Sequence, residues 1–371
     1  MTQINKRQTT SSERFWEILP GALEWTTFGL LILLSWLAPV VISYFIMLYS
    51  LIWLEKSVHS SAHLIHTFRK LRLARQTPWD ARLAELSDVP RAIQQIKERT
   101  SRHVVARPGR FSNNYARWSA EHKHLRRRLI ELEQLVQRTD LIDWRSVWHV
   151  VLFPTYNEPT EVLIQSIQSV QQASFDHKRV IVIVGIEERA GQSGLDKARV
   201  LKERFGSIFA DFITVVHPDG IKGEAKVKSA NATYALWQSI PELKKLGIAL
   251  DKVIVSNFDS DTQMAPEYLN VLTEAFVVTP NRLRTSYQPV PVFNNNIWQA
   301  PMMARLSATG TSFWQMIESS RSHRLVSFSS HAVPLTAVID VNGWDVTRIS
   351  EDSRIFWQCY MRYEGDYHVV P

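Results

Sequence analysis

The sequence has a single cysteine, Cys359, among its 371 residues. One cysteine can form neither an internal disulfide nor a zinc cluster, so we expect the folded part in a reducing compartment. Two glycine patterns are also missing: no Gly-x-Gly-x-x-Gly follows the first predicted strand, and no Gly-x-x-x-x-Gly-Lys-Ser/Thr occurs. Their absence argues against a dinucleotide oxidoreductase and a P-loop phosphohydrolase. Gly-x-Ser-x-Gly is absent too, which argues against the usual serine esterases.

Positive charge is concentrated in one part of the chain. The whole sequence has 43 Lys and Arg against 36 Asp and Glu, a net charge of +7. Residues 56–150 hold 19 of the basic and 9 of the acidic side chains, a surplus of 10, so the rest of the chain carries −3. A basic segment beside an ordinary domain indicates contact with an anionic surface, either nucleic acid or membrane.

Residues 25–54 contain no charged side chain and lie between Glu24 and Glu55. Thirty helical residues are about 45 Å long, against roughly 30 Å for the hydrocarbon core of a bilayer. The run predicts either one tilted membrane span or a tight hairpin broken at Ala38-Pro39, preceded by a cytoplasmic or interfacial tail at residues 1–24. It is too long for a secretory signal and no small-residue cleavage site follows, so we expect it to remain in the mature protein.

Basic residues follow the uncharged run more densely than they precede it. The positive-inside bias therefore puts the C-terminal part of the chain in the cytoplasm. Residues 55–145 predict a basic helical linker, with helical leucine spacing between Leu125 and Leu135. Because no stacking platform of interleaved aromatic residues accompanies it, the linker favours membrane lipid over nucleic acid as its partner.

From residue 146 to residue 371, short β-rich apolar runs alternate with helical patterns. The predicted strands are residues 149–153, 179–186, 212–216 and 252–257, and the predicted helices are residues 160–173, 195–205 and 225–237. This alternation predicts an α/β domain with a mostly parallel sheet and flanking helices.

Polar side chains follow each predicted strand, at the sheet edge where open parallel sheets bind ligands. The clusters are Pro-Thr-Tyr-Asn-Glu-Pro at 154–159, the acidic pair at 187–188, Lys-Val-Lys-Ser-Ala-Asn at 226–231 and Asp-Ser-Asp at 259–261. Asp259 and Asp261 can hold a hard divalent cation, because such cations prefer oxygen ligands. That cation could bridge the phosphates of a nucleotide and neutralise charge on a leaving diphosphate. Lysines and acidic groups nearby could bind phosphate and a base or ribose.

Taken in order with Gly-Trp at 343–344 and Ser-Glu-Asp at 350–352, these motifs resemble the membrane-bound family 2 glycosyltransferases. That group has the GT-A fold, a Rossmann-like nucleotide-binding fold, and contains the cellulose and hyaluronan synthases. The resemblance covers residues 148–371, roughly 60% of the chain. It implies inverting transfer of a sugar, from a UDP-linked donor and with Mg²⁺ or Mn²⁺, to a glycan or lipid-linked acceptor. It also implies a bacterial plasma membrane location with the catalytic domain in the cytoplasm.

The resemblance also assigns roles to individual residues. Asp352 matches the catalytic base, with Glu351 beside it, and Asp261 shares the metal with Asp259. Trp344 and His331 fall at the acceptor side. The residues that it places at the nucleotide-sugar site are Thr155, Tyr156, Asn157, Glu158, Glu187, Glu188, Lys226, Lys228, Asn231 and Asp259. Glu188 stands where these enzymes often have an aspartate that reads uracil.

Processive members of that group carry Gln-x-x-Arg-Trp and further membrane spans after this region. Neither occurs before Pro371, so we expect the sequence to be incomplete at its C-terminus. The alternative function is a membrane-tethered protein that binds a sugar nucleotide without catalysis.

Overall fold

The computed structural model describes residues 11–109, 112–295 and 297–371. Residues 1–10 of the predicted tail therefore lie outside the described residues. The chain divides into two compact units, with the boundary between His63 and Leu64. The first unit is helical, and the second holds the mixed α/β sheet.

The uncharged run lies in two helices, α1 (Ser11–Leu37) and α2 (Pro39–Gln76). Both are long and apolar enough to cross a membrane by length and composition. Ala38 N donates to Leu34 O at 2.8 Å and Ile42 N donates to Ala38 O at 3.2 Å, so helical hydrogen bonding continues across the break. Pro39 explains the interruption, because proline has no N–H to donate. The choice between one tilted span and a hairpin at Ala38-Pro39 stays a prediction.

The predicted basic linker contains the last part of α2 and three more helices: α3 (Trp79–Glu85), α4 (Val89–Val105) and α5 (Tyr115–Leu135). Helix α4 begins where Asp88 accepts a hydrogen bond from Arg91 N at 3.0 Å, a common N-cap arrangement. Leu132 and Leu135 of α5 pack with Ala92 and Ile96 of α4 in a small apolar cluster. The rings of His103 and His122 lie 5.2 Å from the ring of Trp118 and 6.0 Å from each other, nearly parallel, so the three rings form one stacked cluster.

The second unit contains a seven-stranded sheet. Its strands are β1 (Trp148–Thr155), β2 (Val180–Glu187), β3 (Asp211–His217), β4 (Val253–Asn257), β5 (Thr285–Tyr287), β6 (His331–Pro334) and β7 (His368–Val370). Its helices are α6 (Thr160–Gln171), α7 (Gly191–Phe205), α8 (Lys228–Lys245), α9 (Tyr268–Val278), α10 (Met302–Glu318), α11 (Leu335–Asp340) and α12 (Glu351–Arg362).

The strand order is β3-β2-β1-β4-β6-β5-β7. The first four strands are parallel, β6 is antiparallel to both β4 and β5, and β7 runs parallel to β5. This confirms the predicted mixed α/β architecture with flanking helices. The four predicted strands each lie within two residues of the observed bounds. Helix α8 begins at Lys228 rather than at residue 225, because Ala225 N donates to Val346 O at 2.9 Å and Val227 is extended.

Alternate residues of the central strands face two separate cores. Val150 and Leu152 of β1 pack in the core that includes α8, α11 and α12. Val151 and Phe153 pack in the core on the opposite face, with α6 and α7. Side chains of successive strand residues point to opposite faces, so a strand that is apolar at every position requires helices on both sides. The sheet edge is then left for polar groups.

Candidate active site

The register of the parallel strands brings the predicted motifs to one sheet edge. Thr155 pairs with Ile186, and Glu187 pairs with His217. At the other side of β1, Leu152 pairs with Asn257, the last residue of β4. The chain segments that follow these residues therefore all begin at the carboxyl edge of the sheet, where α/β sheets bind ligands.

Five side chains and one backbone group form a connected polar ring at this edge. Lys228 Nζ lies 2.7 Å from Asp259 Oδ1 and 3.3 Å from Glu351 Oε1. Ser329 Oγ donates to Asp259 Oδ2 at 2.7 Å, and Ser329 N donates to Asp352 Oδ2 at 2.7 Å. The ring thus joins the first residue of α8, the loop after β4, the loop before β6 and the first turn of α12.

Two of these bonds meet at Ser329, together with a third from His331. Its φ of 51° is in the left-handed region, which is uncommon for a residue other than glycine. That conformation lets its N–H and hydroxyl donate to two different aspartates while its carbonyl accepts from His331 Nδ1 at 2.8 Å. Strained backbone of this kind persists where surrounding contacts hold it, and here three hydrogen bonds do so.

His331 is buried and neutral. Burial lowers its pKa to about 4. Trp344 Nε1, which can only donate, lies 3.1 Å from His331 Nε2, so Nε2 accepts and the proton sits on Nδ1, facing the Ser329 carbonyl. Trp344 is 1% exposed. The predicted acceptor contacts of these two side chains therefore do not fit this structure, because both lie beneath the site and hold the Ser329 loop from behind.

The charges of the ring shift one another's pKa. Burial alone would lower the pKa of Lys228, but the charges of Asp259 and Glu351 outweigh it and raise that pKa. Burial would raise the pKa of Asp259, but Lys228 and the Ser329 hydroxyl lower it. The pKa of Glu351 is raised, because burial and the nearby Asp352 outweigh Lys228. The structure therefore favours an ionised Lys228–Asp259 pair, with Glu351 easier to protonate.

Lys228 pairs with Asp259, whereas no Lys, Arg or His among the described residues forms an ion pair with Asp261. Its side chain lies at the exposed surface of the cleft. Partial desolvation there and the like charge of Asp259 raise its pKa. A divalent cation would relieve that repulsion. Among the described residues no group of three or more His, Cys, Asp or Glu side chains converges, so the chain offers two carboxylates. That number fits Mg²⁺-type binding in which phosphate oxygens and water complete the shell.

The turn after β1 is organised around Glu158. Glu158 Oε2 accepts from Tyr156 N at 2.7 Å and from Thr155 Oγ1 at 2.8 Å. Burial would raise the pKa of this carboxyl, but these hydrogen bonds and nearby Lys197 lower it. Lys197 Nζ donates to Tyr156 O at 3.1 Å. Thr155 and Glu158 thus shape the turn and leave Tyr156 and the exposed Asn157 facing the edge.

Asn231 acts as a buried clamp between two strand ends. Its Nδ2 donates to Gly185 O at 2.9 Å and to Thr155 O at 3.1 Å. A Cβ on Gly185 would lie 2.4 Å from Asn231 Oδ1, which is far below van der Waals contact, so only glycine fits beside the clamp. Asn231, predicted at the nucleotide-sugar site, is buried under it.

A second polar cluster follows β2 and β3. Arg189 lies 4.1 Å above the ring of Tyr156 and pairs with Glu187. The exposed Glu188 accepts from Asp219 N at 2.9 Å, while Asp219 pairs with Lys226 at 2.8 Å. Glu187, Glu188, Arg189, Asp219 and Lys226 line one small pocket. Lys226, predicted to bind phosphate, therefore belongs to this second cluster and does not contact Asp259.

Two contributors to the site were missed by sequence reasoning. Ser329 carries no pattern beyond a Ser-Ser pair before His331, because its role depends on a left-handed backbone. Lys197 could have been identified from the sequence, because its helical spacing places it on the same face of α7 as Gly194, Leu201 and Phe205, all of which are buried. A lysine on such a stripe requires a polar partner, and here it finds the Tyr156 carbonyl.

The chain is similar to solved protein structures at low sequence identity. No protein-family model and no curated protein sequence matches the chain. A mannosyltransferase from Pyrobaculum calidifontis, solved with GDP-Man and Mn²⁺, is 14% identical with a TM-score of 0.42, over 66% of this chain and 61% of that one. TarS from S. aureus, residues 1–349, solved with UDP-GlcNAc, is 14% identical with a TM-score of 0.34. The coverage there is 58% of this chain and 54% of that one. Both TM-scores are below 0.5, and the chain spans less than two thirds of the length of either protein.

Proposed function

We propose that this protein is a membrane-anchored, metal-dependent inverting glycosyltransferase with a GT-A fold. The observation that carries the proposal is the ring in which Lys228, Asp259, Ser329 and Asp352 are joined by contacts of 2.7 Å. It links a cation, a metal-type aspartate and a candidate base at the ligand-binding edge of the sheet.

The donor occupies the groove between the two polar clusters. In our proposal the donor is a UDP-linked sugar. Its nucleoside faces Tyr156, Asn157, Glu187 and Glu188. Lys228 and Asp259 lie at the diphosphate. Thr155, Glu158 and Asn231 hold the strand ends in place beneath it.

A divalent cation, Mg²⁺ or Mn²⁺, would be held by Asp261 with Asp259 and by phosphate oxygens of the donor. When bound, it supplies positive charge to a diphosphate as that group leaves. The raised pKa of Asp261 supports this proposal, because it reflects partial burial and the like charge of Asp259, both of which a bound cation would offset.

Asp352 is the proposed base. In inverting transfer the acceptor hydroxyl oxygen forms a bond to the anomeric carbon, and the bond from that carbon to the diphosphate breaks with its electron pair going to the phosphate. Asp352 takes the hydroxyl proton in that step. The Ser329 N–H and the start of α12 fix the position of its carboxylate. The acceptor is a glycan or a lipid-linked molecule.

Helices α1 and α2 anchor the protein in a membrane, with the α/β unit in the cytoplasm of a bacterium. The Lys and Arg residues that follow the uncharged run support this orientation. The basic helices α4 and α5 contact anionic lipid headgroups.

The test measures release of nucleoside diphosphate from UDP- and GDP-linked sugars by the full chain in Mn²⁺. Asp352→Asn should lower turnover by about 10²–10⁴-fold, the usual contribution of a positioned base. Asp251→Asn removes the same charge in the 3₁₀ turn before β4, at the opposite sheet edge, and should turn over like the parent. Equal rates for Asp352→Asn and the parent would refute the base assignment, and donor binding without any turnover would identify the tethered binding protein instead.

A further inference from the structure

Arg189 covers a face of the Tyr156 ring. Its guanidinium carbon lies 4.1 Å from the centre of that ring, well within the range of a cation–π contact. A second aromatic ring stacked on Tyr156 would have its centre about 4.5–7 Å away, in the space that the guanidinium fills. This face of Tyr156 therefore cannot take a nucleobase while Arg189 stays in place.

The same guanidinium is paired with the carboxylate of Glu187. Arg189 Nε donates to Glu187 Oε2, and Glu187 is a buried residue at the end of β2. An ionised carboxylate can only accept hydrogen bonds, so this pairing uses acceptor capacity that the N–H groups of a base would need. One side chain thus blocks an aromatic face and an acceptor that both face the nucleoside in the proposed function.

Tyr156 itself is held in place on both sides of its backbone. Its N–H donates to Glu158 Oε2 at 2.7 Å, and its carbonyl accepts from Lys197 Nζ at 3.1 Å. Lys197 is only 4% exposed, so breaking this bond would leave a buried charge without its partner. Because Tyr156 is fixed in this way, Arg189 is the side chain that has to move when a base stacks on the ring.

Arg189 has space to move and a second carboxylate to move toward. Its side chain is 25% exposed and belongs to the short 3₁₀ turn Glu188–Ala190. Arg189 lines an open pocket, with an empty volume of about 310 Å³, together with Asp219 and Lys226. Pairing with Glu187 raises the pKa of Arg189, and the charge of Asp219 raises it further. Asp219 pairs with Lys226 at 2.8 Å, and its carboxylate can accept from more than one donor.

We propose that Arg189 competes with the nucleobase of the donor for Tyr156 and Glu187, so that donor binding requires Arg189 to move aside. In the empty protein Arg189 closes the base site. In the loaded protein it lies toward Asp219, and the base stacks on Tyr156 as bases stack on aromatic side chains elsewhere. The affinity for the donor is then reduced by the small fraction of protein in which the site is open. This inference rests on the proposed sugar-nucleotide function.

The test uses calorimetry to compare UDP, GDP and inorganic diphosphate as ligands of the full chain in Mn²⁺. Inorganic diphosphate has the phosphates without the base, so the ratio of its Kd to the Kd of a nucleotide isolates the contribution of the base. Arg189→Ala should raise this ratio about 3–30-fold, the strength of a cation–π contact. Arg199→Ala removes the same charge from an exposed pair with Asp196 on α7 and should leave the ratio unchanged.

Tyr156→Ala completes a double-mutant cycle, in which Arg189→Ala should raise the ratio less because the ring is gone. Arg189→Gln, which cannot form a cation–π contact, repeats the comparison with a smaller change of volume. Structural damage would weaken nucleotide binding, whereas competition predicts that binding becomes tighter. The direction of the change therefore distinguishes the two.

An unchanged ratio in Arg189→Ala, with nucleotide still bound, would overturn this inference and leave the proposed function intact. A lower ratio would also overturn it and would identify Arg189 as a wall on which the base stacks. An equal rise with and without the Tyr156 ring would contradict competition for that ring. Binding of neither nucleotide by any of these proteins would overturn the proposed function and this inference with it.

Discussion

Ser329 is the residue on which the geometry of the proposed site depends most. Its hydroxyl and its N–H hold Asp259 and Asp352, the two aspartates assigned to the donor and to the base. The hydroxyl can be removed by mutation while the N–H is kept. The two contacts can therefore be separated experimentally.

Ser329→Ala should raise the KM for the nucleotide sugar about tenfold, because a hydrogen bond to a charged group contributes about 1.5–3 kcal/mol. The effect on kcat should be smaller, since the alanine N–H can still donate to Asp352. Steady-state kinetics with varied donor measure the split. Ser207→Ala, in an exposed turn, is the control, and a variant that changes only kcat would contradict the assigned role.

His149 is the residue that links stability to pH. It is fully buried, its Nε2 lies 2.8 Å from Thr273 Oγ1, and burial lowers its pKa from 6.5 to about 3. The unfolded chain takes up this proton below pH 6.5, while the folded protein does not until about pH 3. The contribution of neutral His149 to the free energy of unfolding is therefore fully present above pH 6.5 and is lost as the pH falls toward 3.

At pH 5 the loss from His149 should be about 2 kcal/mol relative to pH 7. His149→Gln removes the titrating group and keeps an N–H for Thr273, so its unfolding midpoint should fall less between pH 7 and pH 5. Thermal unfolding of both proteins in detergent measures the difference. In His124→Gln, at an exposed position, the unfolding midpoint should fall between pH 7 and pH 5 as much as in the parent. An equally large fall in His149→Gln would contradict this account.

At the scale of elements, the part of the predicted linker from Leu64 onward belongs to the unit that holds the sheet. Arg128 of α5 reaches Glu274 of α9 at 2.8 Å and Glu85 of α3 at 2.7 Å. Arg82 of α3 pairs with the same Glu274 at 2.7 Å. Both Arg128 and Glu274 are buried. Arg128 can lie on the buried face of α5 because its charge is paired there. From the sequence alone this face cannot be distinguished from a solvated one.

Arg128→Met should destabilise the second unit by about 3–5 kcal/mol, because it removes one of the two arginines that pair with the buried Glu274 carboxylate and also the partner of Glu85. The double variant Arg128→Met/Glu274→Met should recover part of that loss. Arg102→Met breaks the exposed Arg102–Glu98 pair, at 3.6 Å, and should cost at most about 1 kcal/mol. Denaturant unfolding measures all three, and equal losses for Arg128→Met and Arg102→Met would contradict a buried network.

The strands were predictable from sequence because buried parallel strands have continuous apolar runs, as in residues 180–186. Helix ends and the hydrogen-bonded ring were less predictable. The start of α8 depends on a contact between Ala225 and Val346, which are 121 positions apart in the chain. The acceptor role expected of Trp344 depended on exposure, and its burial against His331 arises from packing that no local pattern records.

At the scale of the whole molecule, the basic surplus and the proposed sugar-nucleotide site belong to different parts of the chain. The surplus lies in residues 56–150, while the ring is formed by residues 228–352. Changes of salt should therefore act on membrane contact more than on donor binding. The central claim concerns the ring: a nucleoside diphosphate and a divalent cation bind together at Asp259 and Asp261.

The most direct test is calorimetry of UDP and GDP binding to the full chain, with and without Mn²⁺. We predict binding that requires Mn²⁺ and weakens at least about tenfold in Asp261→Asn, since a metal-ligand carboxylate is lost. Asp251→Asn should bind like the parent. Binding of equal strength in Asp261→Asn and the parent, or binding that needs no divalent cation, would contradict the account.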